Sequence, residues 1–506
     1  MKIYNYIIGG LCAMGITTVA SCSLQYDPVD TYSDVTEGVN EDGKEAVFKD
    51  KAAVESYVTG MNNKFRDRQE HWYLDALLIA EAHSDNAYAG TTGAEVVPFE
   101  RNSIDGSNSV LARDWTRFLE DVAYANQLIN FVGDVNELTA AEKASYRAQG
   151  LIFRSMIFFD MVRLWGNIPL VTTIAEDITA ENIEQVYNAY FPDQVTADVA
   201  YKQIETDLLD AIANGAPATN PADKRLLSRD VAYALLAKVY AEKPIRDYAK
   251  VIEYCDKLAA DGYDLNDNYG DLFDLNADGT DLAMRNTRES IYEAQFSTAN
   301  GNWCTWMFGR DLGDWNSNFT WAKWVTPSRD LINAFEQAGD KVRYEESVVW
   351  YDCQWSNYYP SDNYAFMYKC RSKYNSLIKI RYADILLLKA EALIMGNNAD
   401  LSGAATIINR IRARVGLDPL PASATASKES MLKAYMNERR LELAFEGQRW
   451  FDLVRLDKVE EVMNAVYSAD SGRLPQVYTF NQFSYLLPIP QSEIDSNDKL
   501  HQNDGY

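Results

Sequence analysis

The stretch from Glu438 to Leu453 holds the densest set of ionisable side chains that could do chemistry. Four acids and three arginines stand there among Leu, Phe and Trp within about four helical turns, so some charges must enter a core or lie against it. Two carboxylates across a cleft can hydrolyse a glycosidic bond, and Glu442 with Glu446 could take that role. Their arginine-rich surroundings would keep both ionised, which removes the general acid. We therefore interpret the stretch as a set of internal ion pairs.

Opposite charges recur three residues apart in this stretch, a spacing that places them on one face of a helix. Charges beside buried aromatic rings persist only when they are paired. The spacing predicts the following pairs: Arg439 with Glu442, Glu446 with Arg449, and Arg449 with Asp452.

Other catalytic constellations lack their usual parts. The chain has three histidines, His71, His83 and His501, and none belongs to a His-Glu-x-x-His helix. The sequence has no Gly-x-Ser-x-Gly elbow and no phosphate loop. We predict that the protein is not an enzyme and has no catalytic residues, although a hydrolase remains a competing hypothesis.

An EF-hand-like fragment begins at Asp274. Asp274, Asn276 and Asp278 fit positions one, three and five of a calcium loop, but position twelve is Arg285, where a bidentate Glu is required. A turn rich in Asp and Asn explains the fragment equally well. We predict no metal site and no cofactor, and keep calcium at these three residues as the alternative.

Aromatic residues concentrate between positions 303 and 324. Sugar rings present C–H faces that stack on indole planes, while neighbouring polar groups bind the hydroxyls. We expect two or three of these rings to touch ligand and the others to pack the loop onto its scaffold or to form a partner interface. The rings are Trp303, Trp306, Phe308, Trp315, Phe319, Trp321 and Trp324, and Arg310, Asp311, Asp314, Asn316 and Asn318 stand between them.

Helical scaffolding must position this segment. Apolar periodicity predicts helices over about 46–262 and 375–506, with a loop-rich ligand-binding region at about 263–374. Within the loop-rich region, Ser290–Ser297 reads as a strand and the segment after Ser328 as a helix. The predicted class is mainly α, with a tetratricopeptide-like repeat scaffold, long irregular loops and minor β structure.

Two stretches have the pattern of paired repeat helices. In Leu226–Gly262, Ser228 is a candidate N-cap, and Ala234 and Ala237 are small enough for a second helix to approach. A second pair is predicted from Ile378 onward and ends at Gly416. Such helices cannot bury their faces alone, so the pairs must stack.

The N-terminus predicts a membrane attachment without a spanning segment. Its apolar run is too short to cross a bilayer and fits a signal peptide, residues 1–21, that ends in a lipobox before Cys22. Acyl chains on Cys22 would then hold the protein on a membrane. Residues 22–45 read as a flexible tether. An ordinary signal peptide with Cys22 incidental is the alternative.

Composition bounds the remaining classes. A net charge of −26 excludes the basic footprint that nucleic-acid binding needs. No Pro/Gly/Ser-rich linker divides residues 46–506, which favours one large body, or two interlocked ones, over separate domains joined by linkers. A Cys353–Cys370 disulfide and buried unpaired thiols both fit the cysteine pattern, and the second reading is favoured.

Four stretches together resemble the SusD/RagB family of outer-membrane nutrient-binding lipoproteins. They are the Glu438–Leu453 stretch, "RSMIFFDMVRLWGNIPLV" (Arg154 to Val171), "IKIRYADILLLKAEALI" (Ile378 to Ile394), and "YLLPIPQSEIDSN" with the tail "QNDGY". The resemblance spans most of the chain that would remain after the predicted signal peptide is removed.

The resemblance implies a non-catalytic lipoprotein of the outer membrane that faces the cell exterior. It would capture an oligosaccharide or polysaccharide for a SusC-like TonB-dependent transporter. The resemblance also implies ligand contacts in an early loop, here at Asp85, Asn86 and Tyr88. The alternatives are a peptide ligand for the same transporter system and a helical-repeat scaffold that binds only proteins.

Overall fold

The structure is a computed structural model and describes residues 46–90, 93–175, 182–279, 281–297, 300–307, 309 and 323–506. The predicted signal peptide, the tether and Cys22 lie outside these residues. The helices are α1 (Lys51–Asp67), α2 (Asp75–Leu77), α3 (Val97–Arg101), α4 (Ser109–Phe131), α5 (Ala140–Trp165), α6 (Ile183–Tyr190), α7 (Ala197–Ala213), α8 (Arg229–Ala241), α9 (Tyr248–Ala260), α10 (Cys304–Met307), α11 (Arg329–Ala338), α12 (Lys341–Ser347), α13 (Tyr382–Met395), α14 (Leu401–Arg414), α15 (Lys428–Glu442), α16 (Arg449–Arg455), α17 (Val459–Ala469) and α18 (Gln491–Ser496).

Strands in the described chain form short antiparallel pairs: β1 with β5, β2 with β3, β4 with β8, and β6 with β7. The predicted mainly α class with minor β structure is confirmed. The strands are β1 (Ala87–Tyr88), β2 (Ile168–Pro169), β3 (Gln194–Val195), β4 (Ser290–Ala294), β5 (Thr326–Pro327), β6 (Val348–Tyr351), β7 (Tyr364–Met367) and β8 (Leu377–Arg381).

The long helix α5 organises the N-terminal part of the scaffold, because α4 and α7 both pack along it. A capping box starts α5: the Thr139 side chain accepts from the Glu142 backbone, and the Glu142 side chain accepts from the Thr139 backbone. Gly150 lets the two helices approach closely, since a Cβ there would lie 2.9 Å from Ile129 Cγ1. The close contact fixes α5 against α4.

Both predicted repeat pairs are present, but the second begins at Tyr382 rather than at Ile378, because Leu377–Arg381 form strand β8. Helix α8 packs on α9, α13 packs on α14, and α13 also contacts α9, so the pairs stack. Ala234 and Ala237 are fully buried, and Gly416 adopts φ +75° just beyond α14. Ser228 occupies the N-cap position of α8, but its hydroxyl makes no hydrogen bond to the helix. The predicted N-cap position of Ser228 is therefore confirmed, without the side-chain hydrogen bond that such caps usually make.

The segment 263–374 is more regular than the sequence predicted. The predicted strand is β4 and the predicted helix is α11, but α12 and the β6–β7 hairpin were not predicted. These elements are short, with mixed polarity, and leave no clear period in the sequence. Strand β4 pairs with β8 and places Ser290 opposite Arg381, which ties this segment to the helical scaffold.

The ion network, by which we mean Arg439, Glu442, Glu446, Arg449 and their partners, is buried and paired as predicted, but the predicted pairs are wrong. Helix α15 ends before a turn with positive φ at Phe445 and Gly447, so the residues on either side no longer share one helix face. The observed partners are Asp384 and Asp452 for Arg439; Arg343, Arg381 and Arg414 for Glu442; Lys369 and Arg381 for Glu446; and Asp85 for Arg449.

Two further expectations concern cysteines and membrane spans. Cys353 and Cys370 are not joined by a disulfide; Cys370 is buried, and Cys353 is half-buried. Within the described chain, every helix falls short of the length and apolar character that a membrane span requires.

Candidate functional site

Strands β1 and β5 bring together the two segments that the sequence assigned to the ligand surface. Tyr88 lies opposite Thr326 and Ala87 opposite Pro327 in an antiparallel register. The chain after Tyr88 and the chain before Thr326 therefore leave the ladder at the same end. The early loop and the end of the aromatic segment are neighbours, although more than 200 residues separate them in the sequence.

A tyrosine cluster, formed by Tyr88, Tyr358, Tyr359 and Tyr364, braces this ladder from the interior. The rings of Tyr88 and Tyr358 are stacked with centroids 4.5 Å apart. The Tyr358 hydroxyl donates to Glu100 at 2.6 Å, and the Tyr359 hydroxyl donates to the Pro327 carbonyl at 2.8 Å. Buried hydroxyls with partners hold the ladder in a fixed position.

Side chains from distant segments also fix the start of the aromatic segment. The Trp303 backbone N–H donates to Gln69 Oε1 at 2.8 Å, and Gln69 Nε2 donates to the Gly301 carbonyl at 3.0 Å. Asn302 Nδ2 donates to the Asn375 carbonyl at 2.9 Å. The Trp324 backbone N–H donates to the Met307 carbonyl, so both described ends of the segment meet at α10.

The predicted aromatic residues have different outcomes. The Trp303 side chain is exposed, with 39% of its surface accessible, whereas Trp324 is half-buried and packs against the core. Trp306 lies in α10, and its side chain is outside what the structure describes. Further candidates also lie outside the described residues: Phe308, Arg310, Asp311, Asp314, Trp315, Asn316, Asn318, Phe319 and Trp321.

The three early-loop candidates lie in the interior. Asp85 accepts from Arg449 Nε and Nη2, both at 2.8 Å, and is 1% exposed. The Asn86 side chain accepts from Arg440 Nε at 2.8 Å and donates to Glu81. Tyr88 is fully buried in the tyrosine cluster. All three side chains are buried and are not part of the exposed surface.

Charge explains why Asp85 stays ionised at this depth. Burial alone would raise the pKa of Asp85, but Arg440 and Arg449 hold it well below its usual range. Glu81 and Glu100 lie nearby with fewer cationic contacts. Burial raises the pKa of each to about 7, in spite of hydrogen bonds that favour the ionised form.

The β6–β7 hairpin adds aromatic residues that the sequence analysis did not single out. Trp350 and Trp355 are half-buried, and Tyr351 is 44% exposed. The rings of Trp350 and Tyr359 pack in a T-shaped arrangement with their centroids 5.1 Å apart. This contact joins the hairpin to the tyrosine cluster. The aromatic density of "WYDCQWSNYY" was the signal that could have found this part of the surface.

The EF-hand-like fragment forms a turn held by arginines. Asp274 Oδ1 accepts from Arg371 Nη1 at 2.9 Å, and the Asn276 side chain accepts from a backbone N–H of the same turn. Arg285 binds Asp281 and the carbonyl of Phe296. In the described residues, no group of three or more His, Cys, Asp or Glu is placed to hold a metal ion.

Glu442 and Glu446, the carboxylates considered for hydrolysis, lie in the ion network. Burial alone would raise the pKa of Glu442, yet Arg414, Arg381 and Arg343 hold it well below its usual range. Arg381 likewise lowers the pKa of Glu446 against the effect of burial. Groups held ionised in this way cannot protonate a glycosidic oxygen.

Comparison with protein families gives two matches. Residues 369–506 match the model described as "SusD family", and residues 32–241 match the model described as "Starch-binding associating with outer membrane". The chain is also 25% identical to SusD-like protein P2 of Formosa agariphila, over 91% of this chain and 94% of that protein.

Solved structures share the fold. A laminarin binding SusD-like protein superposes with a TM-score of 0.67 at 23% identity, over 91% of this chain and all of that chain. Surface glycan-binding protein A from Bacteroides thetaiotaomicron, in complex with laminarihexaose, gives 0.69 at 19% identity, over 90% of this chain and all of the other.

Proposed function

Because the chain belongs to the SusD/RagB-like family, we propose that it is a cell-surface lipoprotein that binds a glycan and delivers it, uncut, to a SusC-like TonB-dependent transporter. The observation that carries the proposal is the β1–β5 ladder. It places the early loop beside the end of the aromatic segment, and Trp303, near the start of that segment, presents an exposed indole on an anchored backbone. Indole faces of this kind stack on sugar rings.

Glycan binding is tested by calorimetry with laminarihexaose and with maltoheptaose, the glucan types suggested by the solved complex and the family description. We expect at least one to bind, and Trp303→Ala to weaken that binding at least tenfold, because a single stacked ring contributes about 1 to 3 kcal/mol. Tyr190→Ala, which removes another exposed aromatic ring on α6, is the matched control.

The outcome separates the alternatives. No binding to any oligosaccharide on a broad glycan array would contradict the proposal. Binding of basic peptides instead would favour the peptide alternative, for which the net charge of −26 is the supporting observation. If Trp303→Ala changes only assembly with another protein, the scaffold alternative is favoured. Release of products from labelled glucan would identify a hydrolase.

Lipid attachment at Cys22 supplies the membrane contact in this proposal. Cys22→Ser removes the thiol that would accept the acyl chains and should therefore move the protein from the membrane to the soluble fraction. Digestion of whole cells by added protease checks that the protein faces outward. Co-purification of a large barrel protein with the wild-type chain checks the transporter partner.

A further inference from the structure

Two cysteines, Cys304 and Cys370, lie close together next to the start of the aromatic segment. Cys304 is the first residue of α10 and directly follows the exposed Trp303. Cys370 lies just beyond strand β7. Both cysteine side chains are buried, and their thiols are not joined in the structure. Glycan binding as proposed above uses neither thiol.

Contacts tie the chain at 302–309 to the chain at 367–373 at three points. They join the Asn302 backbone N–H to the Lys373 carbonyl at 2.8 Å, Thr305 Oγ1 to the Cys370 carbonyl at 3.3 Å, and Gly309 to Met367 through a backbone bridge. Cys304 lies between the first two of these points, and Cys370 takes part in the second. The two cysteines therefore belong to chain segments that are held against each other.

The groups around the two cysteines bring their thiols together. Thr305 Oγ1 lies 3.6 Å from Cys370 Sγ. The Gly309 backbone N–H donates to the Cys304 carbonyl at 3.1 Å, and a Cβ on Gly309 would lie 2.5 Å from the Cys370 carbonyl oxygen. Burial raises the pKa of the Cys304 thiol well above its usual range, and a hydrogen bond with the Cys370 side chain adds to this rise. The two thiols are thus neighbours in the core.

The other two described cysteines donate to backbone carbonyls in their own surroundings. Cys353 Sγ donates to the Trp355 carbonyl at 3.1 Å. Cys255 Sγ donates to the Ile385 carbonyl at 3.2 Å. Cys304 is therefore the thiol that the structure places against Cys370, in contrast to the Cys353–Cys370 pair considered from the sequence.

The compartment in which a chain folds decides whether neighbouring thiols stay reduced. Disulfides form and persist in exported proteins, whereas thiols in the cytosol are kept reduced. A lipoprotein at the cell surface folds after export. The bond proposed below therefore rests on the export that the proposed function requires, and not on the identity of the ligand.

We propose that Cys304 and Cys370 form a disulfide when the exported chain folds, and that this bond fixes α10 to the chain after β7. The oxidant is the disulfide of a thiol–disulfide exchange protein. One cysteine thiolate attacks that disulfide, and the second cysteine then displaces the exchange protein. The new S–S bond forms as the exchange protein takes up two electrons and two protons and becomes a dithiol. Oxidation precedes the packing of α10, since burial disfavours the reactive thiolate.

The bond would restrain the aromatic segment where it leaves the scaffold. Both described ends of the segment meet at α10, where the Trp324 backbone N–H donates to the Met307 carbonyl. A cross-link at Cys304 therefore limits the movement of α10 and of the adjoining Trp303. It also closes a long loop between the two cysteines, which lowers the conformational entropy of the unfolded chain.

Mass spectrometry of full-length protein from the membrane fraction tests the bond. Free thiols are alkylated in denaturant without reduction, and trypsin then cuts the chain after Lys and Arg. Cys304 falls on peptide 289–310, Cys370 on peptide 370–371 and Cys353 on the separate peptide 344–369. We expect peptides 289–310 and 370–371 to be linked in most chains and to separate after reduction.

Variants separate the bond from the packing of the thiols. The link should persist in Cys353→Ala, and in Cys304→Ala an alkylated Cys370 should replace it. The melting temperature of wild type should be lower by about 3 °C or more when a reducing agent is present. Cys304→Ala should melt at the same temperature with and without the reducing agent.

Several results would overturn the proposal. These are alkylated Cys304 and Cys370 in most chains from the membrane fraction, a Cys353–Cys370 link, a link between two chains, or a wild-type melting temperature that reducing agent does not change. Glucan binding is measured separately on the same protein. A chain that carries the Cys304–Cys370 link but binds no glucan would count against the proposed glycan binding alone.

Discussion

The ion network and the tyrosine cluster hold the same short stretch of chain, Asp85 to Tyr88, in different ways. In the ion network, Arg449 and Arg440 keep Asp85 ionised at full burial. In the tyrosine cluster, Tyr88 stacks on Tyr358, and its hydroxyl donates to Asp470. The comparison shows that the chain next to the ligand loops is held by two kinds of contact. One kind is built on paired charges and the other on aromatic packing.

Substitutions in the two regions should also destabilise the folded protein by different amounts. Removing one partner of a buried ion pair leaves a charge without compensation, which costs about 3 to 5 kcal/mol. Removing one hydroxyl from an aromatic cluster costs about 1 kcal/mol. The predictions below follow this order.

Glu442→Gln should have the largest effect on stability. It removes the carboxylate that Arg343, Arg381 and Arg414 share, so we expect the free energy of unfolding to fall by about 3 to 5 kcal/mol. Urea unfolding followed by circular dichroism measures the change. Glu461→Gln, which alters an exposed carboxylate, should leave stability nearly unchanged. Similar losses in both variants would contradict the role given to the network.

Asp85→Asn tests the contribution of the ion network to the stretch Asp85 to Tyr88, which both regions contact. The variant leaves Arg449 without its carboxylate, and we expect a loss of about 2 to 4 kcal/mol in unfolding free energy. Because Asp85 is buried, the glucan affinity of the folded variant should match that of wild type. A variant with normal stability and lost glucan binding would instead indicate that Asp85 contacts the ligand, as the sequence analysis predicted.

Tyr358→Phe tests the tyrosine cluster. The ring stays stacked on Tyr88, but the hydrogen bond to Glu100 is lost, so unfolding free energy should fall by about 1 kcal/mol. The same urea experiment measures it. A loss as large as that of Glu442→Gln would mean that the cluster depends on polar contacts rather than on packing.

The pH dependence of stability tests the two buried carboxyls that lie near Asp85 with fewer cationic contacts. Glu81 and Glu100 have a pKa of about 7 in the folded chain, against 4.5 when unfolded, so folding takes up protons between these values. Their contribution to stability is full below about pH 4.5 and is lost as pH rises to about 7. Glu100→Gln should therefore flatten the decline in melting temperature from pH 5 to pH 8. An unchanged slope, with the slope of Glu461→Gln as reference, would argue against a raised pKa at Glu100.

Much of the scaffold was predictable from local pattern. The apolar period over 226–262 predicted two helices, and α8 and α9 are present and packed together, with Ala234 and Ala237 buried in α8. Ser328 is the N-cap and Gly339 the C-cap of α11, so these two residues were a sufficient local signal to predict where the helix begins and ends. Such features depend on neighbours within a few residues, which the sequence displays directly.

The candidate site was predictable only in outline. The aromatic segment and the early loop were identified as partners, and β1–β5 pairing places them at one end of a ladder. The burial of Asp85 and Asn86 was missed, because their partners Arg449 and Arg440 lie more than 350 residues away. The β6–β7 hairpin was missed because its strands carry no clear alternation.

By itself, the sequence determined the helical class, the repeat pairs and the need to pair the charges of 438–453, because periodicity and the cost of an unpaired buried ion are local facts. Only the tertiary structure decided which charges meet. Arg439 pairs with Asp384 rather than with Glu442. The turn at Phe445 and Gly447 separates α15 from α16, and helix packing brings other chain segments closer to these charges. Spacing limits which neighbours on one helix can meet, but the packing of whole elements selects the partner.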